Sequence, residues 1–136
     1  MNTYKIKFIE HQEIDQLIVL CQAHAKYEKA DYSNKNIKQK LLTNIFSNSP
    51  MLHCLVLEKN HKIEGYLSYT KQFSTWLGSE YIYLDCLFIN DDHRCFGQGE
   101  KMINKLINES KKLNCELIQW QTPIFNKRAI KFYNRK

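Results

Sequence analysis

The chain has 136 residues, of which 43% are hydrophobic and 25% charged, an ordinary globular composition long enough for one domain, residues 1–136, with a real core. Its formal charge is +6, but Lys and Arg are spread along the chain rather than clustered, which speaks against a nucleic-acid binder and suits a polyanionic cofactor. No apolar run reaches the length of a membrane span, and MNTYKIKFIE lacks the basic-then-apolar layout of a signal peptide, so the expectation is a soluble, cytoplasmic protein without membrane or nucleic-acid partners.

Tyr4 to Ile9 alternates polar and apolar residues and reads as a first strand. Glu10 to Glu28 follows as a helix with Ile14, Leu17, Ile18 and Cys21 on one face. After a break at Asp31, Ser33 or Asn34 is placed to cap a second helix carrying Ile37, Leu41 and Ile45. Met51 to Leu57 reads as a buried strand, and the turn Asn60-His61-Lys62 predicts that Ile63 to Tyr69 or beyond pairs back on it as a hairpin. Lys71 to Ser79 reads as a longer polar turn around Trp76 and Gly78.

The chain is organised around Tyr81 to Leu106. Tyr81 to Ile89, aromatic and aliphatic, predicts a central strand. Asn90-Asp91-Asp92 is turn chemistry. Gly97 and Gly99 then precede a helix with Met102, Ile103, Leu106, Ile107, Ser110 and Leu113 at helical spacing. A glycine-bearing loop between a strand and a helix N-terminus makes an anion site: backbone N–H groups are unpaired there, the dipole favours negative charge, and glycine admits close approach. Cys115 to Gln121 reads as a strand parallel to the central one, ended by Pro123, and Asn126 to Tyr133 as a short last helix.

Cys21, Cys54, Cys86, Cys95 and Cys115 are odd in number and form no C-x-x-C pair, which suits free thiols in a reducing compartment. The five histidines show no metal-ligand spacing, so no metal is expected.

Arg94-Cys95-Phe96-Gly97-Gln98-Gly99 resembles the (Arg/Gln)-x-x-Gly-x-(Gly/Ala) pyrophosphate loop of the GNAT superfamily of acyl-CoA N-acyltransferases. The preceding YLDCLF, the WLG at Trp76, NKRAIKFY at Asn126 to Tyr133, and Ala25-Lys26-Tyr27-Glu28 are similar to the diamine and polyamine branch, spermidine/spermine-type, and the resemblance covers nearly the whole chain. It implies an α/β (α+β mixed sheet) GNAT-like fold in the order β-α-α-β-β-β-α-β-α, shortened at its C-terminus by the two strands that normally follow. It implies acetyl-CoA as co-substrate, with the pyrophosphate on Arg94, Cys95, Phe96, Gly97, Gln98, Gly99 and Glu100, the pantetheine arm on the backbone of Leu87 and Ile89, and Asn126 helping to hold the cofactor. It implies Asp85 as general base and Tyr133 as the acid that protonates the departing thiolate, with Tyr27, Glu28 and Asp31 at the amine acceptor. Where the family has a second acid after that base, Cys86 stands here. For each of these residues a structural role competes: a carboxylate capping backbone at Asp85, ring packing at Tyr133, an N-cap at Asn126.

The reading is an N-acetyltransferase acting on a primary amine of a small, polyamine- or diamine-like molecule by direct attack in a ternary complex. The competing reading is a non-catalytic acyl-CoA-binding or regulatory domain. A strand such as CELIQWQ with no following neighbour presents a bare edge, which predicts a homodimer completed near the C-terminus.

Overall fold

The computed structural model describes residues 3–33, 35–94, 97–121 and 127–131, the last five as backbone. Six strands form one sheet in chain order: β1 (Tyr4–Phe8), β2 (His53–Lys59), β3 (Lys62–Ser74), β4 (Ser79–Ile89), β5 (Leu117–Gln121) and β6 (Lys127–Lys131). All neighbours are antiparallel except β4 and β5, which run parallel through the crossover helix α3 (Gln98–Lys112). Helices α1 (Ile14–Tyr27) and α2 (Ile37–Ile45) complete the order.

The strands' period of two sorts their residues to opposite faces. Leu55, Leu57, Leu67, Tyr69, Ile82 and Ile118 meet Met102 and Leu106 of α3 on one side. Cys54, Val56, Tyr66 and Phe88 meet Leu17 and Leu20 of α1 on the other, with Leu41 and Ile45 of α2 at its margin. Leu106 has no exposed surface, so truncating it to alanine removes about 2–5 kcal/mol of the docking of α3. Asn60 and His61 both adopt positive φ, 54° and 65°, the pairing of a tight hairpin between β2 and β3 whose twist matches its strands. Asn114, at φ 61°, ends α3 in the left-handed position that closes helix C-termini.

Two bulges interrupt the ladders. In β2–β3 the register passes from Leu57↔Gly65 to Glu58↔Ile63, which leaves Glu64 as an extra residue. In β3–β4 it passes from Ser68↔Cys86 to Tyr69↔Leu84, which leaves Asp85 as the extra residue. A bulge shifts the alternation by one. Ile82 and Leu84 therefore face α3, whereas beyond the bulge Phe88 joins the α1 side and Cys86 packs against it.

Several expectations are corrected. The last described element is a strand, not a helix: Lys127–Lys131 pairs antiparallel with β5, from Leu117↔Lys131 to Gln121↔Lys127. The ladder groups of β5 outweigh the weak helical tendency of a five-residue stretch. That pairing also removes the bare edge from which a homodimer was expected, since β5 is flanked by β4 and β6. Lys71 to Ser74 continue β3 instead of forming a loop, paired as far as Ser74↔Ser79. The residue that opens α2 is Asn36, in the left-handed region with φ 58° and no side-chain cap, rather than Ser33, and Asn34 lies outside the described residues. No helix among the described residues is long and apolar enough to cross a membrane.

Candidate active site

β4 and β5 pair only at Ile82↔Ile118 and Tyr83↔Gln119. Beyond Tyr83, β4 runs on to Ile89 with no register partner on β5 among the described residues. The opening is a cleft of about 620 Å³ lined by Tyr83, Leu84 and Leu87 of β4, Ile103 of α3, and Trp120 and Gln121 of β5. On the α1 side of β4 lies a second cavity, of about 300 Å³, roofed by Leu17, Cys21 and Ala25 of α1 and Leu41 of α2 and floored by Cys54, Tyr66 and Ser68. His24, Glu28, Asp85 and Cys86 line both. The two cavities thus share one junction, and the bulge at Asp85 is its floor.

The junction is chemically sorted. Asp85 is exposed, not sunk in the strand as its apolar neighbours suggested. The bulge takes it out of the ladder, and it accepts hydrogen bonds from Ser68 Oγ at 3.4 Å and the Cys86 thiol at 3.7 Å. Burial, then the charge of Asp85, pushes the Cys86 thiol up to about 12. Burial likewise raises Cys21, Tyr32 and Tyr66. Thiols and phenols therefore keep their protons, and the charge at the junction belongs to Asp85 and Glu28.

His24 stacks on Phe88 with ring centroids 5.0 Å apart and planes 20° apart. Its Nδ1 is 2.8 Å from the Tyr66 hydroxyl, and its Nε2 is 3.9 Å from Glu28 Oε2. Burial lowers its pKa from the usual 6.5, partly opposed by Glu28 and Asp85. Sequence reasoning passed over His24, Tyr66 and Ser68; the available signal was that His24 precedes Glu28 by four residues and so shares its helix face.

The loop after β4 is held from three sides. The Tyr4 hydroxyl is 2.7 Å from His93 Nδ1, His93 Nε2 is 3.3 Å from Glu64 Oε1, and Asn90 Nδ2 donates to the same oxygen at 3.0 Å. Arg94 pairs with Asp91 and donates from Nε to the Ile89 carbonyl. Its guanidinium lies over the rings of Tyr27, at 4.5 Å, and Phe88, at 5.0 Å. Gly97 follows at φ 74° and opens α3 without a side-chain cap. The N–H groups of Gly99 and Glu100 in that first turn have no helical acceptor, and the positive end of the helix dipole sits there.

Of the residues singled out from sequence, Asp85, Glu28 and Leu87 come together at the junction and its cleft. Ile89 is buried in the core, Gln98 is buried at the start of α3, and Glu100 is exposed. Tyr27 is exposed beneath Arg94, and Asp31 is exposed outside both cavities. Cys95, Phe96, Asn126 and Tyr133 lie outside the described residues. Among the described residues no group of three or more His, Cys, Asp or Glu is placed to hold a metal ion.

These features fit an acyl-CoA. Among the described residues, a Cβ at Gly97 would meet nothing within 4 Å and one at Gly99 only Ile89 Cδ1 at 3.8 Å, which leaves room there for a large anion at the start of α3. The unpaired length of β4 offers backbone groups to an extended arm in the cleft.

Comparison with known proteins agrees. The model of the "Acetyltransferase (GNAT) family" matches residues 12–136. A thialysine N-epsilon-acetyltransferase of Bos taurus is 27% identical over 94% of this chain and 79% of its own length. A spermidine/spermine N(1)-acetyltransferase-like protein 1 of Homo sapiens is 20% identical over all of this chain and 20% of its own. Among solved structures, a predicted acetyltransferase with acetyl-CoA from Clostridium acetobutylicum superposes with a TM-score of 0.75 at 15% identity, covering 88% of this chain and 81% of that one. An aminoglycoside acetyltransferase from an uncultured soil metagenomic sample, in complex with sisomicin, gives 0.73 at 18% identity, covering 98% and 96%. The chain belongs to the acetyltransferase (GNAT) family and is an N-acetyltransferase.

Proposed function

We propose that the protein transfers an acetyl group from acetyl-CoA to a primary amine of a small diamine- or polyamine-like molecule, by direct attack in a ternary complex. The observation that carries this reading is the junction at Asp85, where a cleft along the open edge of β4 meets a separate cavity under α1 and α2. Two substrates that must touch at one point need two entrances to it.

Arg94, Cys95, Phe96 and Gly97, with the start of α3 from Gln98 to Glu100, hold the pyrophosphate, and the backbone of Leu87 and Ile89, with Asn126, holds the arm. The bound thioester supplies the acetyl group. Asp85 and Glu28 are the carboxylates open to an ammonium group entering from the acceptor cavity, with Tyr27 and Asp31 at its approach. The ammonium group loses a proton at the junction before it attacks, because an alkylamine is mostly protonated near neutrality. Neutral backbone donors on β4 steady the oxygen of the reacting carbonyl. Tyr133 returns a proton to the leaving sulfur.

A screen for CoA release across diamines, polyamines, amino acids and aminoglycosides tests the reading. Release with at least one primary amine is expected. Binding of acetyl-CoA with no acceptor consumed would favour the non-catalytic acyl-CoA-binding alternative.

A further inference from the structure

We propose that His24 is the general base of this site, taking the ammonium proton on Nε2, while Asp85 serves as the counter-ion that holds the amine. This rests on the acetyl-transfer reading and names the proton acceptor within it.

Position comes first. His24 lies where both cavities meet, beside Glu28 of its own helix and Asp85 and Cys86 of β4. Its ring is fixed by the stack on Phe88 and by the contact of Nδ1 with the Tyr66 hydroxyl. With Nδ1–H donating to the Tyr66 oxygen, the lone pair belongs to Nε2. Glu28 Oε2, at 3.9 Å from Nε2, is beyond hydrogen-bond reach and leaves that lone pair unengaged. It is close enough to steady a positive charge once the proton arrives. A ring with one nitrogen tied, the other open and a carboxylate behind it is the arrangement of a base.

The surrounding groups favour a neutral ring before the reaction. Those facing it are Glu28 from the C-terminal cap of α1, Tyr66 from β3, Asp85 and Cys86 from β4, and Arg94 from the loop after β4. Burial and Arg94 disfavour the imidazolium, Glu28 and Asp85 oppose them, and the net direction is downward. Tyr66 and Cys86 keep their own protons. An imidazole is by nature a stronger base than a carboxylate and closer to the working pH. Asp85, exposed on the bulge and accepting from Ser68 and Cys86, is better suited to ionic attraction.

The step balances. An N–H bond of the ammonium breaks and Nε2–H forms. The freed amine then forms the new C–N bond as the C–S bond breaks. The sulfur leaves with the proton of its acid, the nitrogen's second proton replaces that one, and His24 releases the first to solvent, so each turnover yields one proton.

The test uses spermidine, 1,3-diaminopropane and lysine as acceptors. In the wild type, kcat/KM should fall as pH drops through the lowered His24 value. His24→Gln, which retains a donor for Tyr66, should lose about 10²-fold or more in kcat with little change in the amine KM, and its acid limb should vanish. In His24→Ala, added imidazole should restore part of the rate. Asp85→Asn should raise the amine KM and keep the limb. Nitrogen-15 spectra of the free protein, which need no acceptor, should show the Nδ1–H tautomer. An Nε2–H tautomer, an unchanged acid limb in His24→Gln, or its loss in Asp85→Asn would overturn the assignment. A wild type that releases no CoA with any of the three amines would overturn the acetyl-transfer reading for them instead, while the spectra still decide the state of His24.

Discussion

Gly65 lies opposite Ile89 in the β3–β4 pair, just below the loop that leads into α3. A Cβ added there would stand 3.0 Å from Ile89 Cγ1, 3.0 Å from the Phe88 carbonyl oxygen and 3.3 Å from Ile89 Cα. Two of the three atoms are backbone, so the contact is relieved only by moving β4 by a few tenths of an ångström. Overpacking of this kind costs about 1–3 kcal/mol. The loss of unfolded-state freedom on replacing glycine returns about 0.4–1 kcal/mol. Gly65→Ala should therefore destabilise by about 1–2 kcal/mol. With an unfolding entropy of about 2.1 cal/mol/K per residue over 136 residues, that lowers the melting midpoint by about 3–7 °C. The same shift moves the Ile89 carbonyl that accepts from Arg94, so acetyl-CoA should bind more weakly as well. Thermal unfolding followed by circular dichroism, with and without acetyl-CoA, measures both effects. A midpoint equal to the wild type or higher would refute the close approach of β3 and β4.

At the start of α3, Gly99→Trp sets an indole where a small side chain would meet only Ile89; the stabilisation given by acetyl-CoA should disappear while the free variant still melts cooperatively, and an unchanged thermal shift would sink the pyrophosphate assignment. Tyr133→Phe keeps the ring and removes the proton, so turnover should drop with acetyl-CoA affinity unchanged; wild-type turnover would leave Tyr133 as packing. Burial lowers the folded-state pKa of both His24 and His53 from 6.5, with Lys71 adding to the effect at His53. The unfolded chain then binds more protons, so stability is full above about pH 6.5 and is lost as pH falls through the folded values. The urea midpoint should decline over that range, and His53→Gln should reduce the slope; a midpoint flat from pH 7 to pH 5 would contradict it.

The strand, loop and helix from Tyr81 to Leu106 could be read in advance because each used local chemistry: β-branched and aromatic residues, then turn formers, then glycines, then a helical stripe. The bulge at Asp85 could not. In YLDCLF apolar residues occupy both faces of the strand, so the pattern is the same with or without one extra residue. The strand at Lys127–Lys131 was hidden for another reason. A stretch that short takes its form from the edge beside it, and the neighbour is distant in neither space nor sequence but invisible to periodicity. Lys71 to Ser74 looked like a loop because exposed hairpin arms need no apolar residues. His24 is one histidine on an amphipathic helix, and only the approach of Tyr66, Phe88 and Asp85 from two strands distinguishes it from a surface residue.

The two bulges have a common outcome for what this protein tolerates. Each expels an acid from the ladder, Glu64 in β3 and Asp85 in β4. Replacing either acid alters what is presented at that point and leaves every neighbour where it was. Deleting either one has a milder result for the sheet than its place in mid-strand suggests. Without residue 85, the pairs Ser68↔Cys86 and Tyr69↔Leu84 would adjoin in one regular ladder, and Leu87 and Phe88 would keep the faces they have. The extra residue therefore serves what is presented outside the ladder rather than the packing of the strand, and its omission should cost the protein a carboxylate and a local bend before it costs the fold.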